Sequence, residues 1–108
     1  LNEIARQSQV SIRLNENQIP VDPRVLGITS LLGLDPLYLA NEGKAIMIVD
    51  PNIAGEIVNR LKQNPQGQNA RVIGEVSSAH PGLVSIRNEI GGERILAMGS
   101  GEQLPRIC

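Results

Sequence analysis

Aromatic side chains are almost missing from this chain. Its 108 residues include no Trp, no Phe and one tyrosine, Tyr38. Any core must therefore be aliphatic, built from Val, Ile, Leu and Ala. No aromatic platform exists on which bases could stack, and charge of one sign is lacking too: ten Lys and Arg stand against eleven Asp and Glu. Without a basic stripe, nucleic acid is not an expected partner. No apolar run approaches the roughly 18 residues of a membrane span, so no membrane is expected either. The chain has one histidine, His80 in "SAHPG", and one cysteine, Cys108. That excludes zinc-type ligand spacing and any persuasive Ser-His-Asp arrangement, so no metal site is expected. A single cysteine cannot close an intramolecular disulfide, which points to a reducing, cytoplasmic compartment. The first residues lack the charged, apolar and cleavage regions of a signal peptide. Instead "LNEIARQSQ" already reads as helix, with Leu1, Ile4 and Ala5 on one face and no capping residue before them. The expectation is a piece of a longer protein that starts inside an element.

A length of 108 residues suits one small domain. "VSIRLNE" alternates, with Val10, Ile12 and Leu14 on one side and Ser11 and Arg13 on the other, the pattern of a half-buried strand. Three Asp-Pro pairs follow, at Asp22-Pro23, Asp35-Pro36 and Asp50-Pro51. Aspartate accepts hydrogen bonds from the free N–H groups of a helix start, and proline fits the first helical position, so each pair predicts a helix or turn beginning there. The first opens "RVLGITSLLG", with Val25, Ile28 and Leu32 on one face and Gly33 as a left-handed cap. The second opens a short turn ending at Gly43. The third opens "NIAGEIVNRLKQ", which predicts burial of Ile53, Ile57, Val58 and Leu61 and pairs Glu56 with Arg60 four residues on. The continuous apolar run "AIMIV", residues 45–49, predicts a central strand buried on both faces. "NPQGQNA" reads as a loop and "RVIGEV" as a strand. "GLVSIRNEI" alternates Val84, Ile86 and Ile90 against Ser85, Arg87 and Glu89, and Gly91-Gly92 predicts a tight hairpin turn into "RILAM". Helices and strands interleave first and antiparallel strands follow. The fold class expected is α+β, a mixed sheet covered by helices.

Two residues could carry chemistry. Cys108 is the last residue, behind Gly99, Gly101 and Pro105. A thiolate is a strong nucleophile, although a free thiol with a pKa of about 8.5 is mostly protonated at neutral pH. Arg106 favours the thiolate and the terminal carboxylate opposes it; Pro105 stiffens the approach. The segment reads as an arm carrying a thiol, or else as an incidental terminal cysteine. Glu42, in "YLANEGKAIMIVD", precedes the most apolar run, beside a glycine that permits close approach. There a carboxylate can serve as a general base, or it can be a solvated loop residue. "GGER" and "GSGE" lack the phosphate-loop spacing and read as a turn and a hinge. His80, before a proline, reads as a loop residue.

"LNEIA", "IPV", "LGLDPLYLANEGK", "IGEV" and the terminal "LPRIC", in this order, resemble the HypE family, the carbamoyl dehydratases of nickel–iron hydrogenase maturation. The terminal "PRIC" is the most specific of these motifs, and residues 51–70 are the least diagnostic. The resemblance implies a fold like the C-terminal domain of aminoimidazole ribonucleotide synthetase (PurM), partly ferredoxin-like. Residues 1–103 would be that domain and residues 104–108 a flexible tail. An N-terminal domain holding most of the ATP site, with magnesium, and much of a homodimer contact would lie outside this chain; no ATP-contacting residue is assigned within it. By position, Cys108 would accept a carbamoyl group from the partner HypF, and Glu42 would take protons as the resulting thiocarboxamide is dehydrated to a thiocyanate. The cyano group would pass to iron on a HypC–HypD complex. Pro105 and Arg106 would orient the tail, and these residues alone would be inactive. The alternatives are another ATP-dependent synthetase of the PurM superfamily, for which the tail is dispensable, and a non-catalytic interaction module.

Overall fold

In a computed structural model of the chain, residues 1–98 are described. They form two compact units, one of Leu1–Pro20 and Ile48–Ala97, the other of Val21–Met47 with Met98.

The first unit contains a four-stranded sheet. Helix α1 (Asn2–Ser8) leads into strand β1 (Ser11–Asn15). Later come helix α3 (Pro51–Leu61) and strands β2 (Gly74–Ser77), β3 (Val84–Arg87) and β4 (Glu93–Ile95). Strand order is β2-β1-β3-β4. β1 runs antiparallel to β2 and parallel to β3, and β3 runs antiparallel to β4, so the sheet is mixed, as the interleaving of elements predicts. The register pairs Ile12 with Val84 and Leu14 with Ile86. All four are buried, together with Ala5 of α1 and Leu96, and they are the aliphatic core. The alternation of β1 thus places its apolar residues as expected. Its other face carries Arg13, beside Ser85 on β3 and Glu75 on β2.

The second unit holds helix α2 (Pro23–Leu32), followed by a single 3-10 turn at Pro36–Tyr38. All three Asp-Pro pairs cap as predicted. Asp22 Oδ1 accepts from Arg24 N–H at 2.8 Å, Asp35 Oδ1 from Leu37 N–H at 2.9 Å, and Asp50 Oδ1 from Asn52 N–H at 2.8 Å. Proline occupies the first turn in each case. Gly33 closes α2 in the left-handed region at φ 66°, where a side chain would be strained. The Glu56–Arg60 pair forms at 2.8 Å on α3.

Three expectations are corrected. Residues 45–49 form no strand, and Ile46, Met47, Ile48 and Val49 are exposed. An apolar run marks a segment that has something to pair with, and no described strand bonds to this one. Val25, Ile28 and Leu32 share a helical face as expected, and all three are exposed; the one buried residue of α2 is Thr29, whose hydroxyl donates to Val25 and Leu26 carbonyls. On α3, Ile57, Val58 and Leu61 are half-buried and Ile53 is exposed. Finally, the β3–β4 connection is not a two-glycine turn. Asn88 N–H donates to Gly92 O at 2.8 Å, and Gly92 N–H donates to Asn88 Oδ1 at 2.7 Å. This side chain ends the strand, breaks the alternation at residue 88 and leaves Ile90 93% exposed.

Candidate functional site

Glu42 follows the 3-10 turn that Asp35 caps, two residues before Lys44. Gly43, at φ 74°, turns the chain immediately after it. Residues 40–50 are all exposed. Glu42 has no hydrogen-bond or ion-pair partner among the described residues. The strand-end setting read from the sequence is therefore replaced by an open loop. A carboxylate there is free to meet an incoming group, with nothing in its surroundings to fix its orientation. Cys108, Arg106 and Pro105 lie outside the described residues. His80 sits in a turn, exposed, where its carbonyl accepts from Leu83 N–H at 3.1 Å, as a loop residue should.

A polar arrangement that the sequence reading did not single out lies on the sheet. Arg13 Nη1 donates to Glu75 Oε1 at 3.2 Å, and Arg13 Nε lies 3.4 Å from Glu93 Oε1. The second contact is ionic only; Nε is buried and makes no hydrogen bond. Ser85 Oγ donates to Glu93 Oε1 at 2.6 Å. That bond, more than the positive charge of Arg13 and Arg87 nearby, holds the Glu93 carboxyl below the usual carboxylate range. Four strands are thus tied together by one arginine, two carboxylates and a hydroxyl. The signal lay in the residues alternating with the core, but matching them needs the strand order, which local pattern does not give.

Charge elsewhere serves the helix ends. Arg24 Nη2 reaches Asp22 Oδ2 at 2.7 Å, and this pair, followed by the Arg24 backbone N–H, lowers the Asp22 carboxyl to about 2. Among the described residues no group of three His, Cys, Asp or Glu could hold a metal ion, and no helix is long and apolar enough to cross a membrane. A shallow cleft in the sheet unit is lined by Glu16, Asn17, Asn88, Glu89 and Ile90. Two carboxylates and no cation make it unsuitable for a polyphosphate.

Residues 1–85 match the family of the AIR synthase related protein, C-terminal domain, and the chain belongs to that family. Within it, the chain is 47% identical over all 108 residues to carbamoyl dehydratase HypE of Bradyrhizobium diazoefficiens, covering 31% of that protein. It is similar in structure to hydrogenase maturation protein HypE crystallised with ATP, at a TM-score of 0.88 and 46% identity, covering 100% of this chain and 33% of that one. A HypE–HypF complex contains a further similar chain, at a TM-score of 0.85 and 34% identity, covering 92% of this chain and 32% of that one. The chain spans about a third of the length of the curated relatives it matches.

Proposed function

We propose that this chain is the C-terminal part of an ATP-dependent carbamoyl dehydratase that makes the cyanide ligand of a nickel–iron hydrogenase. The observation that carries this reading is the 47% identity, over all 108 residues, to a protein named carbamoyl dehydratase HypE. The similar chains solved with ATP and with HypF agree with it.

In this reading Cys108 is the carrier. Its thiolate accepts a carbamoyl group from HypF, giving a thiocarboxamide. Converting that amide to a nitrile requires two things: the oxygen must become a leaving group, and two protons must leave nitrogen. ATP supplies the first by phosphorylating the oxygen. ATP, with magnesium, is bound mainly by an N-terminal domain outside these residues, and the similar HypE chain solved with ATP supports its use. Glu42 supplies the second, as acceptor of a proton from nitrogen. Its exposure on a loop suits a base that must meet a group arriving on a movable arm. Pro105 and Arg106 orient that arm, residues 104–108, which extends from the domain of residues 1–103. A terminus is the natural carrier here, because one thiol must visit a donor, an ATP cleft and an iron acceptor. The acceptor is a HypC–HypD complex in the cytoplasm, and the full-length protein works as a homodimer. The 108 residues alone are inactive, since the phosphorylating machinery is elsewhere.

Replacing Glu42 tests the assignment. Full-length Glu42→Gln, supplied with HypF, ATP and carbamoyl phosphate, still gains the carbamoyl adduct, but dehydration slows by about 100-fold or more. Dehydration at the normal rate would return Glu42 to an ordinary loop residue.

A further inference from the structure

The shallow cleft of the sheet unit sits where two parallel strands end. β1 and β3 run side by side with Asn15 opposite Arg87, so the residues that follow them emerge at the same end of the sheet. After β1 comes the 3-10 turn Glu16–Gln18, and after β3 comes the loop of Asn88, Glu89 and Ile90. These two segments line one cleft of about 300 Å³, room for a few side chains and too little for a folded element. Neither Glu16 nor Glu89 has an ion-pair partner among the described residues. The neighbouring cation, Arg87, stands opposite Glu93 on β4. The loop is held in shape: besides the two bonds between Asn88 and Gly92, Gly91 N–H donates to Asn88 O at 3.2 Å, and Gly91 adopts φ 88°. At its tip Ile90 is the most exposed large apolar side chain among the described residues. Two unneutralised carboxylates beside a fixed, bare isoleucine call for an arginine or lysine next to an apolar side chain.

The chain carries that chemistry itself. Outside the described residues it has one cation, Arg106, with Leu104 and Ile107 close by it in "LPRIC". The segment can also reach. β4 begins beside the cleft, with Glu93 opposite Arg87, and runs away from it, so Ala97 lies about 17 Å from the cleft. From Ala97 to Arg106 the chain spans up to about 30 Å, enough to double back past Gly99 and Gly101. Exposed ion pairs are individually weak, so a free peptide gains little from pairing with Glu16 and Glu89. A tethered segment meets the cleft at about millimolar effective concentration, which favours it over a partner in solution.

We propose that this cleft is a resting site for the chain's own terminal segment, Leu104–Cys108. The Arg106 guanidinium lies between the Glu16 and Glu89 carboxylates, and Ile107 covers Ile90. Contacts this weak hold the arm without trapping it, so it leaves readily for other sites. The inference concerns where the arm waits. It does not depend on which group Cys108 carries, so it and the dehydratase reading fail separately.

The test uses full-length Ile90→Cys, which keeps both carboxylates, oxidised with copper phenanthroline in the absence of ATP. Disulfides are mapped by peptide mass, with isotopically light and heavy protein mixed to separate copies. The expected product joins position 90 to Cys108 within one copy. Adding Glu16→Gln and Glu89→Gln slows its formation by at least ~5-fold. Arg106→Glu slows it as much, and combining Arg106→Glu with Glu16→Lys and Glu89→Lys restores it, a rescue that a general change of fold would not give. No disulfide within one copy, a light–heavy disulfide as the main product, a rate indifferent to the carboxylates, or a charge swap without rescue would each overturn it.

Discussion

The sheet unit and the α2 unit draw on the same aliphatic residues and reach opposite degrees of burial. In the sheet, Val84 is 1% and Ile86 2% exposed. On α2, Leu31 is 88% exposed, and no apolar residue of the helix is buried. The difference lies in what fixes each. β1 and β3 are neighbours whose pairing stacks Ile12 on Val84 and Leu14 on Ile86, so burial comes from contacts within the unit. α2 is fixed by its ends, by an aspartate cap, a proline and a glycine, and its side chains do little to hold it. One region is stabilised by packing and the other by backbone geometry.

That contrast can be broken by substitution. Ile86→Ala in the full-length protein removes a fully buried side chain and costs about 3 kcal/mol, read as a fall in the urea unfolding midpoint. A loss under ~1 kcal/mol would mean that the sheet core is not where its stability resides. Asp50→Ala removes a cap whose carboxylate binds Asn52 N–H, and costs about 1 kcal/mol, with faster hydrogen exchange confined to the first turn of α3. Leu31→Ala costs about 0.5 kcal/mol or less if its face is as open in the full-length protein. A loss near ~3 kcal/mol would show the α2 face buried there, and the contrast would vanish.

Acid sharpens the same point at the α2 cap. The Asp22 carboxyl titrates at about 2 when folded, against an ordinary value of 3.8. Its contribution is therefore complete above the ordinary value and is lost as pH falls through about 2. A carbon-detected NMR titration should find that midpoint, and Arg24→Ala should move it up toward 3.8, because the Arg24 side chain is the main cause of the shift. An unmoved midpoint would contradict the ion pair.

The legible parts of the fold were the local ones. Each Asp-Pro cap involves residues two apart, and the alternation of β1 involves neighbours, so both are visible in a short window. Burial of Ile53, Val25 or residues 45–49 depends on partners far away in sequence, and no window contains them. Ile90 shows a subtler failure: the alternation continues in the letters but not in the backbone, because Asn88 takes the chain into a turn two residues earlier. The site divides in the same way. Residue type and position singled out Cys108 and Glu42 as candidates, and the resemblance gave each its role. The cross-strand set of Arg13, Glu75, Ser85 and Glu93 went unnoticed, because its members meet only once the order β2-β1-β3-β4 is known.

The central claim is that the terminal thiol carries the reacting group. It is tested by peptide mass mapping of the full-length protein after incubation with HypF, ATP and carbamoyl phosphate. The account predicts a carbamoyl adduct on Cys108 that then loses the mass of one water, and no adduct in Cys108→Ser. An adduct on any other residue, or an unaltered yield in Cys108→Ser, would contradict it.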